Sequence, residues 1–502
     1  MISFLLGVAL LLGGYFGYSK VVEKVFRIDD RQTPALVHGD GVDFVPMPVW
    51  KAFLIQLLNI AGLGPIFGAI TGALWGPSVY LWIVFGTIFG GAVHDYLGGM
   101  LSQRNNGASI AEIVGKYMGS GMKQFMRIFT VILLTMVGAV FIIGPAGLIA
   151  LLTPDTIEIP FGSKVLTVPF GEKFWIVAIL IYYTLATFLP IDKIIGKFYP
   201  VFGIALIVMA VGIAGGTLVN HFNGTRPMLE LWNHATNMDP RKLPMWPLMF
   251  ISVSCGAISG FHATQSPLMA RCTKNEKESR HVFYGAMVME GFIALVWASA
   301  AITFFYKPEG GSIFLEPFVG NSTTVYTIAV TLLGPFGSFL AMVGVVACPI
   351  TSGDTSFRSV RLTLADWFKL DQKDMGKRLL VTIPVLAAGY GISLFGYDAV
   401  WRYVSWSNQV LAMIVLWCIS IYLARYSSNS NNSWMTAFPA TFMVAVTVSY
   451  ILQAPEGFRL DPGLSSAVGL IAAMGSLIFF IIRVYMLAKS PLIDIPLEVV
   501  KG

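Results

Sequence analysis

Charge is scarce in this 502-residue chain: Asp, Glu, Lys and Arg together make 12%. Soluble globular chains carry about 25%. At half that share a chain lacks the side chains to cover a water-facing surface, which excludes a cytosolic enzyme and a disordered segment. Cysteine is scarce too. The four, Cys255, Cys272, Cys348 and Cys418, form no CxxC pair and lie in or beside apolar stretches. This excludes a secreted disulfide scaffold and reads as buried small hydrophobes. The net charge is +6, yet no run of the sequence is a basic stripe for nucleic acid. No G-x-x-x-x-G-K-[ST] loop, HExxH, G-x-S-x-G or paired catalytic Asp motif occurs. ATP hydrolysis and the common hydrolytic chemistries therefore have no residues to carry them. No enzyme activity, cofactor or metal is expected.

Apolar residues are plentiful, at 56%, and glycine is abundant at 51 residues. This is the composition of an all-α polytopic membrane protein. A span needs about 20 mostly apolar residues. Thirteen stretches qualify, with approximate limits 2–20, 48–73, 77–101, 122–152, 173–190, 197–219, 246–270, 282–306, 325–350, 377–397, 399–424, 434–453 and 463–488. The first lacks a basic leader and a small-residue cleavage site, and Lys20, Lys24, Arg27 and Arg31 follow it. It reads as a retained helix with its N-terminus outside. Thirteen spans put the C-terminus in the cytoplasm. In that arrangement most of the 33 Lys and Arg fall in cytoplasmic segments, as the positive-inside bias requires.

The loops are short and leave no room for a soluble domain. The outer segment 154–171 alternates polar and apolar residues around Phe161-Gly162-Ser163 and predicts a β-hairpin. Segments 220–245 and 307–322 are the other sizeable outer pieces. Ser109-Ile110-Ala111-Glu112 predicts a capping box at the start of a short interfacial helix.

Two spans carry helix-breaking runs at mid-membrane depth. In the second the run is Asn59 to Pro65, and in the seventh it is Cys255 to Pro267. Unpaired backbone in hydrocarbon costs several kcal/mol per group, so unwinding is tolerated only beside a cavity or inside protein. The two spans are five apart. With the first span set aside as an added helix, they open two five-helix repeats, and an odd repeat length inverts the second. Interrupted helices at matching positions of inverted halves mark a transporter binding site. The predicted organisation is 1–30, added helix and linker; 40–219, first repeat; 246–424, second repeat; 434–502, two further helices and a short tail. Asn59, Ala61, Gly62, Gly64, Ser259, Gly260, His262 and Gln265 are the predicted substrate contacts.

Ionisable residues inside spans are rare and functional by default. His94 and Asp95 lie in the third span and Glu290 mid-way along the eighth. These three are the candidate proton-coupling groups, with His262 beside them in the broken helix. Asp354, Arg358 and Arg361 follow the ninth span on one helical face, after Pro349 and the hydroxyl pair Thr351 and Ser352.

Three runs, AGLGPIFGAITGALWGP (61–77), GGAVHDY (90–96) and SGFHATQSPLMAR (259–271), resemble the carbon starvation protein CstA family. The resemblance extends from Asp40 to about Ala488. It implies a bacterial cytoplasmic-membrane importer of small nutrients, peptides or pyruvate, used under carbon starvation. It also implies distant kinship with the LeuT fold of the amino acid–polyamine–organocation superfamily. Alternating access driven by protons is the expected mechanism. In sodium-using carriers of that fold, one ion sits between the first and eighth core helices. Here that site would take carbonyls around Ile60 with Thr351 and Ser352, so a sodium-coupled amino acid or carboxylate symporter is the alternative. An ion channel or a nutrient sensor is a weaker one: no filter-like loop and no signalling domain is evident. The expected partners are a small-molecule substrate, H⁺ or Na⁺, and the bilayer. The sequence leaves the substrate and the oligomeric state open.

Overall fold

The computed structural model describes residues 1–502 except 40, 42–43, 162–163, 188–190, 308–320, 371–373, 489–491, 493 and 498–502. At 159–161, 164–166, 191–198, 321, 336–338, 340–341 and 366 it describes the backbone only. The chain is predominantly helical. Eight helices among the described residues are long and apolar enough to cross a membrane, from Ile2–Phe26 to Pro462–Tyr485. The remaining predicted stretches fall on helices that are shorter, broken or less apolar. Stretch 173–190 is helix Glu172–Ala186, and 377–397 is helix Met375–Ser393. Stretch 325–350 is part of Asn321–Phe368, which kinks at Gly334 beside Pro335.

The two predicted breaks are present. Helix Val49–Ile60 ends, residues 61–63 interrupt it, with Ala61 outside helical geometry, and the chain resumes at Gly64 before turning at Gly76. Pro65 explains the place: in a continuous helix its missing N–H and its ring would leave the Ala61 carbonyl unpaired and crowded, whereas at the first turn of a new helix proline is tolerated. The second break differs from expectation. It spans 253–259, between helices Met245–Ser252 and Gly260–Ala270. His262, Thr264, Gln265 and Ser266 are therefore helical, although the sequence suggested an unwound run as far as Pro267. Pro267 costs this helix one backbone bond, and its start is held from outside by Asn408, whose Oδ1 accepts from Phe261 N at 3.1 Å.

The hairpin forms as strands β1 (Thr156–Phe161) and β2 (Lys164–Pro169), antiparallel with Thr156 opposite Pro169 and Phe161 opposite Lys164. Its expected turn at Gly162-Ser163 and most of segment 307–322 lie outside the described residues. The capping box does not form. Ser109 stands at the N-cap of Ile110–Met118 without a side-chain cap bond. Glu112 instead pairs with Lys123 at 2.5 Å and Arg127 at 2.8 Å on the next helix, where two cations outbid a single backbone N–H.

One end of the bundle is tied by a buried carboxylate. Glu276, 1% exposed, accepts from Arg104 Nε and Nη2, both at 2.9 Å, and from Asp29 N at 3.1 Å. Arg104 also donates to Arg27 O at 2.7 Å and lies 4.3 Å over the Phe26 ring. Beside it, hydrogen bonds from the Arg31 side chain hold the Asp29 carboxyl down to about 2. Removing one partner of a buried pair strands the other charge, at a cost of about 3 kcal/mol. Glu276→Ala is expected to lower the melting temperature of the detergent-purified protein accordingly. An unchanged melt would show that the tie contributes nothing.

Candidate transport site at the two broken helices

The helix carrying GGAVHDY packs against the second break through its glycines. A Cβ on Gly91 would lie 2.3 Å from the carbonyl oxygen of Ala257, so only glycine allows this approach. The same stretch satisfies the backbone that the break frees. Trp82 Nε1 donates to Val253 O at 3.1 Å, and Thr87 Oγ1 donates to Gly256 O at 3.2 Å. Within the break, Ile258 N donates to Ser254 O at 2.9 Å.

This approach brings four titratable side chains into one buried row. His94 Nδ1 lies 2.8 Å from Asp95 Oδ1, and His262 Nδ1 lies 2.8 Å from Asp95 Oδ2. On its other side, His262 Nε2 is 3.2 Å from Glu290 Oε2, an ion-pair contact whose angles do not make a hydrogen bond. All four are fully buried. They come from three helices: Ala92–Arg104, Gly260–Ala270 and Ala286–Phe305. Burying a lone charge is costly, and opposite charges set side by side reduce that cost. An imidazole flanked by two carboxylates can accept a proton at one nitrogen and release it at the other. Among the described residues, no group of three or more His, Cys, Asp or Glu is placed to hold a metal ion.

Gly64, where the first break ends, lies against the second. A Cβ on Gly64 would sit 2.2 Å from Cys255 Cβ, and one on Gly62 would sit 2.4 Å from the Phe141 ring. Asn59, Ala61, Ser259, Gly260 and Gln265 are buried with them. Asn59 Oδ1 and Gln265 Oε1 have no hydrogen-bond partner among the described residues. Next to Thr264 and Pro267, a cavity of about 50 Å³ is bounded by Ser109, Arg271 and Ser359.

The hydroxyl pair is used differently from an open ion site. Ser352 Oγ donates to Leu58 O at 2.9 Å, and Cys348 Sγ lies 2.7 Å from Ala61 O. Thr351 Oγ1 turns back to Cys348 O at 2.7 Å, and Ile60 O accepts from Gly62 N at 2.9 Å. Asp354 pairs with Arg358 at 3.5 Å in the same helix and accepts from Tyr199 OH at 3.4 Å. Sequence reasoning missed Asn408 and Thr87. The signal for Asn408 was the adjacent amide pair Asn408-Gln409 in the apolar run 399–424.

A model of the carbon starvation protein CstA family matches residues 1–151 and 142–309. The chain belongs to the CstA family. An uncharacterized membrane protein of Haemophilus influenzae is 46% identical over 345 residues, covering 62% of this chain and 92% of its own length. The peptide transporter CstA of Bacillus subtilis is 26% identical, covering 89% of this chain and 88% of its own. The pyruvate/proton symporter BtsT of Escherichia coli is 28% identical, covering 59% and 48%. Two solved structures share the fold. They are a manganese transporter of Eremococcus coleocola, with TM-score 0.52, 12% identity and 88% of this chain covered, and a Na⁺-coupled sialic acid symporter, with 0.50, 14% and 97%. They cover 98% and 99% of those two chains. The named CstA relatives are transporters and not enzymes, and the chain is a multi-pass membrane protein of the CstA family.

Proposed function

We propose that this CstA-family protein is a secondary active importer of small carboxyl-bearing nutrients, peptides or pyruvate, driven by the proton gradient through alternating access. The observation that carries the reading is the buried row His94, Asp95, His262 and Glu290, which joins three helices at the second break. Protons entering or leaving the row change the attraction between those helices, which links proton occupancy to their relative position. Transport of a proton with pyruvate by one relative, and of peptides by another, supports the same assignment. The substrate lies at the meeting of the breaks, near Asn59, Ala61, Gly62, Gly64, Ser259, Gly260 and Gln265, and leaves past the cavity beside Thr264. The chain crosses a bacterial cytoplasmic membrane thirteen times, as an added helix, two inverted five-helix repeats and two further helices. Its N-terminus is outside. The deciding experiment is uptake of labelled pyruvate and of labelled dialanine into cells carrying only this transporter, with and without a proton uncoupler. Uptake of neither, or uptake indifferent to the uncoupler, would refute the reading.

Sodium is not the ion we propose. At the level of the expected sodium site the helices Val49–Ile60 and Asn321–Phe368 close directly on each other, with Ser352 Oγ on Leu58 O and Cys348 Sγ on Ala61 O, while Thr351 Oγ1 turns back to Cys348 O in its own helix. Replacing sodium by choline at fixed pH is expected to leave the initial uptake rate unchanged. A loss restored by Na⁺ but absent in Thr351→Ala would reverse this assignment.

A further inference from the structure

Helix Tyr397–Tyr426 carries polar groups with contrasting fates. Trp406 Nε1 donates to Thr447 O at 3.0 Å on the neighbouring helix Trp434–Gln453. Asn408 caps Phe261, and Gln409 Nε2 donates to Phe250 O at 2.5 Å. Besides the Gln409 Oε1 acceptor, three donors are left. The Tyr397 hydroxyl, the Trp401 indole N–H and the Ser405 hydroxyl are buried and have no hydrogen-bond partner among the described residues. Trp401 is 7% exposed and Ser405 1%. Their spacing of four places them on one face of the helix.

That face runs along the seam of the two broken helices. The Tyr397 ring is 5.3 Å from Phe67, just past the first break, and stacks on Trp401 at 5.6 Å. A Cβ on Gly68 would lie 3.7 Å from the Trp401 indole and 2.7 Å from Ser252 O, where the second break begins. One turn further, Asn408 reaches the restart of the second broken helix. Of the other buried indoles, Trp75 donates to Leu243 O and Trp82 to Val253 O, both at 3.1 Å, while Trp297, away from this face, also has no hydrogen-bond partner among the described residues.

Buried donors without acceptors are disfavoured. Three in a row, beside half-helices that must separate to admit a solute, call for a partner that comes and goes. An indole N–H donates and never accepts, so the occupant must present an acceptor there. Successive rungs are about 6 Å apart along the axis, a spacing that serves carbonyl and carboxylate oxygens in turn.

We propose that Tyr397, Trp401 and Ser405 form a ladder of donors that binds the oxygen atoms of the solute on its way to the second break, selecting carbonyl- and carboxylate-bearing solutes. The ladder rests on the transport reading above and adds residues that the proton row does not include. The test uses Trp401→Phe, Ser405→Ala and Tyr397→Phe, which remove the polar atom and keep most of the volume, with labelled pyruvate and labelled dialanine as probes. Each variant is expected to raise KM about fivefold, the loss of about one hydrogen bond, with kcat within about twofold. Trp406→Phe removes an N–H that faces away and is expected to leave KM unchanged. Unchanged KM in all three ladder variants overturns the proposal, as does an equal rise in Trp406→Phe, which would mark a general packing effect. If the variants fall in abundance, KM is read on the fraction inserted, since KM does not depend on the amount of protein. Failure of the wild type to carry either probe refutes transport itself and is told apart from failure of the ladder by that control.

Discussion

Asp95→Asn is expected to abolish uphill accumulation of solute while exchange of labelled for unlabelled solute across the membrane continues. Asp95 is the centre of the buried row, within 2.8 Å of both His94 and His262. Asparagine keeps its size and mimics the protonated carboxyl. It cannot release a proton, so the variant stays in the proton-loaded arrangement. Exchange needs only that the loaded carrier reorient, whereas accumulation needs the proton to leave inside. A pH step of one unit is worth about 1.4 kcal/mol per proton, or about tenfold accumulation. For a solute carried with net charge, each 100 mV adds about 2.3 kcal/mol. This whole ratio should collapse to about one. Glu290→Gln, on the far side of His262 at 3.2 Å, is expected to behave likewise. Gradient-driven accumulation that persists in both variants would remove these carboxylates from the coupling mechanism. Counterflow in proteoliposomes measures both quantities on the same preparation.

Gly64→Ala is expected to reduce uptake by about tenfold or more, and Cys255→Gly is expected to restore much of it. The added methyl would stand 2.2 Å from Cys255 Cβ and 2.4 Å from its Sγ, at the point where the two breaks touch. A Cβ is rigidly attached to its backbone, so relief requires one broken helix to move. Overpacking of this kind costs about 1–3 kcal/mol. If the cost falls on the step in which the breaks close together, it slows that step about ten- to a hundredfold. Cys255→Gly removes the opposing Cβ, whereas Cys255→Ala retains it. Rescue by glycine and not by alanine would tie the loss to this contact, through the non-additivity expected of touching residues. Equal rescue by both would place the clash at the thiol and not at the Cβ. Initial uptake rates, normalised to membrane abundance, decide between them.

Much of the site was legible because membrane physics makes rare things conspicuous. Charged residues in apolar runs are few, so His94, Asp95 and Glu290 stood out, and all three join His262 in one row. The breaks were legible from Gly and Pro. The extent of the second was not, because continuation of the helix through Pro267 depends on support from elsewhere. Asn408 supplies it from 147 residues away. The capping box failed for a similar reason: Lys123 and Arg127 come from the next helix, and the local pattern Ser109–Glu112 carries no record of them.

Composition alone determined that the chain is a helical membrane protein, because too few charges exist to wet its surface. Glycine and proline alone placed the two breaks in apolar runs, because backbone left unpaired in hydrocarbon must serve some purpose. Only the tertiary structure decided which groups meet. His262 lies between Asp95 and Glu290 because the glycine face at Gly91 lets one helix close on the carbonyl of Ala257. Thr351 and Ser352 direct their hydroxyls to Cys348 and Leu58 because helices Val49–Ile60 and Asn321–Phe368 are packed together at that level. The polar atoms of Tyr397, Trp401 and Ser405 have no hydrogen-bond partner among the described residues for the same underlying reason. Hydrogen bonds between distant segments depend on ångström distances across packed helices, and residue spacing along one chain does not set those distances.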